Sequence, residues 1–345
     1  MSRGFSQHIE QNLIRCERRG LLFAPSHRCD TAACRRRAER GIIIEPFRGI
    51  FARAAYWKTV KETVKPYQII RTLSAAHPDW VFCSFSAACI YGLWVSTRLL
   101  ERVHIAVGPM THSGGAESLV RHKLENVDAR HVVSVPVTSL ERTVVDCLRV
   151  ASFPEGLAIA DSAARMPHWN SARFARLLNE ASGKRGVCRA RTVASHIDAR
   201  SESGGESIAR ARMIELGFAV PELQIAFPNV LARGDVFYVD YLWSLPDGKR
   251  IAGEMDGLEK YTLFTGGGQP PTTEAARQRA IRSLVKERQR ESRLTAVCDG
   301  VARFTYADVM DDDRFTAILS AYGIPRGRLI ACRVSAAVRP TKGDE

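Results

Sequence analysis

A single aspartate stands at the centre of an otherwise apolar stretch, Phe237-Tyr238-Val239-Asp240-Tyr241-Leu242-Trp243. Odd and even positions are both apolar, which predicts a strand covered on two faces. A lone carboxylate buried there costs several kcal/mol unless a cation or a donor meets it. The next strand, Ile251 to Gly257, carries Glu254 and Asp256 on one face because side chains alternate with period two. Between the strands, Pro246-Asp247-Gly248 suits a three-residue loop closed by Gly248 in the left-handed conformation. That loop pairs Leu245 with Lys249 and sets Asp240 opposite Glu254, whereas a two-residue loop at Asp247-Gly248 turns Asp240 to the other face. Opposed residues have Cβ atoms about 4.5 to 5.5 Å apart, a repulsive spacing for two carboxylates and a favourable one around a divalent cation.

Oxygen ligands at this spacing suit Mg²⁺ or Mn²⁺ better than zinc, and no histidine follows His196. A carboxylate-held Mg²⁺ activates water and neutralises charge on a phosphodiester. Lys260, close behind the acids, is placed to orient that water or offset developing charge, and equally fits a surface turn with Glu259 and Tyr261. Upstream, Ser203-Gly204-Gly205-Glu206 opens a helix, where Glu206 is either the N3 member of a capping box or a further acid of the site. The candidate catalytic set is therefore Glu206, Asp240, Glu254, Asp256 and Lys260, with Asp240 and Glu254 as metal ligands.

Charge divides the chain differently. Of the net +13, residues 1–100 hold 16 Lys and Arg against 7 Asp and Glu, while residues 201–345 hold 20 of each. A basic excess confined to one end is what a polyanion-binding segment needs. A first helix with Ile9, Leu13, Ile14 and Cys16 on one face ends at Gly20, and Asp30 suits the N-cap of a second helix, Thr31 to Arg40, stopped by Gly41. This second helix carries Arg35, Arg36, Arg37 and Arg40. A strand Ile42 to Ile44, a turn through Arg48 and a return strand Ile50 to Arg53 follow. Helices, an arginine helix and a β-hairpin in that order describe a winged helix-turn-helix, with the arginine helix in the major groove of DNA and Arg48 at the wing tip.

The middle of the chain reads as a further α/β unit. Val81 to Phe85 runs into a small-residue helix from Ser86 to Leu93, Val103 to Val107 is a strand, and Thr138-Ser139-Leu140-Glu141 fits a capping box. His104, His122 and His131 stand isolated, with no helical pairing or acidic partner, and read as structural or surface residues. Nine cysteines are an odd, scattered set without a C-x-x-C pair, against a disulfide framework or a zinc knuckle. No apolar run is long enough to span a bilayer and the N-terminus lacks a signal-peptide core, so a cytoplasmic protein with no membrane partner is expected. The small polar segment Ser201 to Gly205 marks a boundary. The expected domains are 1–65 (winged helix), 66–200 (middle α/β), 201–325 (acidic α/β) and a tail, 326–345.

Two family resemblances attach to these residues. Glu206 and Arg210, Val239 to Trp243, Glu254-x-Asp256-Gly257-x-x-Lys260-Tyr261, the run Lys286, Glu287, Arg290, Glu291, Leu294, and the strand Val301 to Thr305 before Asp308 resemble the Vsr-like branch of the PD-(D/E)xK nucleases. That resemblance implies a restriction-endonuclease-like mixed sheet flanked by helices, with Asp240 and Glu254 as metal ligands and Glu206 as the first-helix acid. Asp256 replaces the lysine usual two residues after the acid, so Lys260 or Lys286 has to supply that cation. Residues Arg48 to Phe51, Ser84 to Leu93 and Val137 to Asp146 resemble the AbiEi family of antitoxins and transcriptional regulators of type IV toxin-antitoxin systems, which implies DNA and a cognate toxin as partners. Together they describe an α/β multidomain, DNA-binding protein with a nuclease-like domain that is either a Mg²⁺-dependent endodeoxyribonuclease or a catalytically inactive module of a regulator.

Overall fold

The computed structural model describes residues 3–110, 117–125, 127–228, 236–256, 278 and 293–327. The chain is a mixed α/β protein of two compact units, Met1–Ala199 and Arg200–Glu345.

The first unit begins with α1 (Arg3–Arg18) and α2 (Arg28–Glu39), followed by the hairpin β1 (Ile43–Phe47) and β2 (Ile50–Arg53). Gly20 and Gly41 end the helices with φ of +65° and +70°, where a side chain would be strained. The second helix starts earlier than its sequence suggests. His27 is the N-cap, and Asp30 lies inside the first turn, buried. The hairpin also differs: β1 runs on to Phe47 through an irregular register between Ile44 and Phe47, leaving Arg48 and Gly49 as the tight turn. Between the two helices in chain order, Phe23 forms an isolated antiparallel bridge with Phe51. Glu17 binds this layer together, its carboxylate accepting the Arg53 backbone N–H at 3.0 Å and Nε at 2.7 Å.

After α3 (Ala54–Thr59) and α4 (Lys65–Ala76) comes a five-stranded mixed sheet of order β5-β4-β3-β7-β6, built from β3 (Val81–Phe82), β4 (Val103–Val107), β5 (Leu119–Lys123), β6 (Ala129–Val132) and β7 (Val135–Thr138). The helices are α5 (Ser84–Tyr91), α6 (Leu140–Leu148), α7 (Phe153–Ala164), α8 (Ser171–Glu180) and α9 (Val187–Ala194). Leu22, Ile50 and Ala52 from the N-terminal layer share one core with Ile70, Phe82, Ile105 and Val137. The position 65/66 read as a boundary thus falls inside one compact unit.

Two local expectations are corrected here. Ser139, not Thr138, is the N-cap of α6 and makes no side-chain cap; Thr138 Oγ1 bonds Thr143 Oγ1 at 2.7 Å, and buried Glu141 accepts the Asn170 N–H at 3.0 Å. His104 and His122 are not isolated, since His104 Nδ1 lies 2.8 Å from His122 Nε2. Parallel pairing of β4 with β5 brings them together, through His104 opposite Val120 and Ala106 opposite His122.

The second unit opens with α10 (Gly204–Glu215). A four-stranded sheet of order β11-β10-β9-β8 follows, formed by β8 (Glu222–Pro228), β9 (Val236–Ser244), β10 (Arg250–Asp256) and β11 (Gly300–Thr305). The first three strands form an antiparallel meander and β11 lies parallel to β10, so the sheet is mixed. Short α11 (Tyr306–Val309) and α12 (Asp312–Ala321) close the described part. Tyr241, Trp243, Phe304 and Phe315 are essentially unexposed, and their stacked and edge contacts join the sheet to α12. No described helix is long and apolar enough to cross a membrane.

Candidate functional site

The loop between β9 and β10 fixes the site. Leu245 N–H donates to Lys249 O at 2.8 Å, Gly248 N–H donates to Leu245 O at 2.9 Å, and Gly248 has φ +87°. This is the three-residue loop, and the two-residue alternative is ruled out. The strands then pair Ser244 with Arg250, Leu242 with Ala252 and Tyr241 with Gly253. Continued one step, this register projects Asp240 opposite Glu254, past the last paired residues, Tyr241 and Gly253. The ladder ends there, and the Asp240 carboxylate takes over by accepting the Met255 N–H at 3.1 Å through Oδ2.

Gly253 makes this approach possible. A Cβ added there would lie 2.8 Å from Trp243 Cζ3 and 3.0 Å from Tyr241 Cβ. Trp243 is itself held by its indole N–H on Ala219 O at 2.7 Å, and Tyr241 donates from its hydroxyl to Glu206 O at 2.9 Å. The second bond ties β9 to the first turn of α10 and brings Glu206 to the sheet.

Glu206 meets Asp240 through Gln224. Gln224 occupies the β8 position between the pairs Leu223–Tyr241 and Ile225–Val239, across from Asp240, with φ +51°. Its Nε2 lies 3.3 Å from Asp240 Oδ1 and 3.4 Å from Glu206 Oε2. Glu206 also receives the Glu202 N–H at 2.7 Å and the Ser203 hydroxyl at 2.8 Å, while Ser203 Oγ accepts the Glu206 N–H at 3.1 Å. Ser203 caps the helix, while the Glu206 carboxylate takes the Glu202 N–H and not that of the N-cap, so it closes no capping box and lies instead beside Asp240. Burial raises the Glu206 pKa above the usual carboxylate range and the nearby Asp240 charge raises it further, against the lowering effect of the Glu202 and Ser203 bonds.

Glu254 is buried in β10 opposite Arg303 of β11, and Asp256 is half-buried opposite Thr305. Lys260 and Lys286 lie outside the described residues, so the cation expected to replace the missing lysine does too. Among the described residues no three His, Cys, Asp or Glu side chains are gathered closely enough to hold a metal ion. The acids therefore sort into a linked pair, Glu206 and Asp240, and a register pair, Asp240 and Glu254. Gln224 and Arg303 complete this neighbourhood, and neither stands out in the sequence as a site residue. Their signal is faint: a polar side chain that register alone places beside an acid.

The arginines expected at a nucleic acid are arranged around α2 and the hairpin. Arg35, Arg36, Arg40 and Arg48 are exposed, and Arg37 is half-buried with its Nη1 on Ala33 O at 3.0 Å. Arg35 reaches Glu45 at 3.5 Å, and Glu45 in turn accepts the Gly49 N–H at 2.7 Å, which steadies the turn carrying Arg48.

No family model matches the chain. It is similar to two curated relatives from Mycobacterium tuberculosis, the uncharacterized protein Rv2248 of strain ATCC 25618 / H37Rv and the uncharacterized protein MT2308 of strain CDC 1551 / Oshkosh. Each is 32% identical over 186 residues, which is 52% of this chain and 63% of the relative. The chain thus spans 63% of the length of the curated relatives it matches.

Proposed function

We propose that the chain is a DNA-binding protein whose residues 201–325 form a restriction-endonuclease-like domain of the PD-(D/E)xK type, with Asp240 and Glu254 set to share one Mg²⁺ or Mn²⁺. The observation that supports this reading is the hairpin register, whose continuation one step past Tyr241 and Gly253 would oppose two carboxylates of neighbouring central strands in a mixed sheet. The donor set suits the group, because Mg²⁺ is held by one or two carboxylates with waters and substrate phosphate oxygens in its other positions. Bound there, the cation would supply an activated water and charge neutralisation at a phosphodiester. Glu206 positions Asp240 through Gln224, and burial together with the Asp240 charge raises its pKa. The arginines of α2 and Arg48 serve as phosphate contacts of a winged helix.

A second reading is favoured by Asp256, which stands where this nuclease type carries its lysine. The domain is then a catalytically inactive binding module within an AbiEi-type antitoxin or transcriptional regulator that pairs with a cognate toxin in the cytoplasm. Incubating plasmid DNA with the full chain, with and without Mg²⁺ or Mn²⁺ and beside Asp240→Ala, separates the two. Metal-dependent nicking lost in Asp240→Ala supports the nuclease; binding without cleavage supports the module. In either case, replacing Arg35, Arg36 and Arg37 with Ala flattens the slope of log K against log salt by up to about 0.9 for each phosphate no longer neutralised. An unchanged slope removes these arginines from the DNA surface.

A further inference from the structure

A cavity of about 450 Å³ opens in the first unit between α1, the first turn of α2 and α4. That volume falls within the range of small-molecule sites, about 300 to 1,000 Å³. Its walls combine an apolar surface, including Leu22, Phe23 and Ala76, with the polar side chains of Asp30, Asn12 and Arg15.

Asp30 is the unusual member. It is 6% exposed, and among the described residues its carboxylate meets only the Cys29 thiol, at 4.0 Å. A thiol is a weak donor, so the Asp30 carboxylate on the cavity wall keeps acceptor capacity for a cation or strong donors. The wall from α1 is preorganised. His8, Asn12 and Arg15 follow one another on one face of α1, with Asn12 Nδ2 3.0 Å from His8 Nε2 and Arg15 Nη2 donating to Asn12 Oδ1 at 2.7 Å. These bonds fix the guanidinium, whose remaining N–H groups suit a carboxylate. Thr72, on the third wall, is already satisfied by the Leu22 N–H and Gln68 O, both at 2.8 Å, and acts as scaffold.

We propose that this cavity binds a small organic ammonium ion of amino-acid size. Asp30 takes the ammonium, Arg15 the carboxylate beside it, and Leu22 and Phe23 the apolar side chain. Binding here is independent of the DNA reading, although Asp30 shares α2 with Arg35, Arg36 and Arg37, so an occupant would act on the helix placed at DNA.

The test is titration calorimetry of the full chain with L-leucine, isopentylamine and N-acetyl-L-leucine, without DNA. L-leucine is expected to bind saturably, isopentylamine more weakly, and N-acetyl-L-leucine, which lacks the ammonium, not at all. Arg15→Gln, an exposed change that leaves the fold intact, should weaken L-leucine about tenfold or more and leave isopentylamine unchanged. Asp30→Asn, checked for native circular dichroism, should abolish binding of both amines. Absence of saturable L-leucine and isopentylamine binding to the wild type overturns the assignment, as does N-acetyl-L-leucine binding as tightly as L-leucine. An Arg15→Gln variant that weakens both amines equally overturns the orientation.

Discussion

In the first unit a buried imidazole packs against a half-buried one; in the second, two carboxylates share a side chain. His104 and His122 stack with ring centres 5.1 Å apart, and Phe85 packs edge-on against His104. Burial, reinforced by His122 and Arg102, pushes the His104 pKa down to about 3, and burial lowers that of His122 as well. Two neutral rings can donate and accept to each other, so this pair is complete without a ligand. Glu206 and Asp240 cannot complete each other in that way: ionised carboxylates only accept, and the shared donor, Gln224 Nε2, is long to both at 3.4 and 3.3 Å. Burial alone therefore does not mark a functional site. What marks it is a polar group whose protein partners leave it acceptor-rich.

Acid should separate the two pairs most strongly. A histidine whose folded pKa is depressed binds fewer protons than in the unfolded chain, so stability falls as pH drops below about 6.5, by up to about 1.4 kcal/mol per pH unit for each histidine. Between pH 7 and 4.5, hydrogen-exchange protection of peptides covering β4 and β5 should therefore drop, after correction for intrinsic rates. Equal protection at both values contradicts a neutral buried pair.

Next in size is Gly253→Ala. Overpacking against Trp243 and Tyr241 should cost about 1 to 3 kcal/mol and lower protection in β9 and β10, while β4 and β5 are unaffected. A neutral result means that Trp243 does not hold the strands in this register.

Glu206→Gln should change least. A carboxylate with a raised folded pKa contributes stability at low pH that is lost as pH rises through that raised value, so at neutral pH its charge is a net cost. Gln keeps an acceptor for the Glu202 N–H, and the variant should be more stable at pH 7 by about 0.5 kcal/mol, with no gain at pH 4. Denaturant titration at the two pH values reads this, and a gain at both would place the effect elsewhere than in the charge.

How much of this is legible in the sequence depends on how local each cause is. The hairpin is readable because Pro246-Asp247-Gly248 and the apolar positions flanking it encode a turn, but the choice between a two- and a three-residue loop, and with it the register, rests on the Leu245–Lys249 hydrogen bond. The start of α2 is not, because Asp30 has the chemistry of an N-cap, yet tertiary packing turns it into a cavity and starts the helix at Arg28. The His104–His122 contact is hidden because two strands must first pair in parallel, and no spacing along the chain encodes that pairing. Gln224 escapes for a similar reason: its place beside Asp240 exists only once β8 and β9 are in register.

Whether Asp240 and Glu254 hold a cation is decided by melting the wild type and Asp240→Asn with and without millimolar Mn²⁺. Two opposed carboxylates that bind one cation are stabilised by mass action, by about 1.4 kcal/mol at a metal concentration near ten times Kd. Mn²⁺ should raise the wild-type Tm, Asp240→Asn should abolish the rise, and the variant without metal should melt no lower than the wild type. A wild-type Tm indifferent to Mn²⁺, or a rise that survives in Asp240→Asn, contradicts the assignment of Asp240 and Glu254 as a metal site.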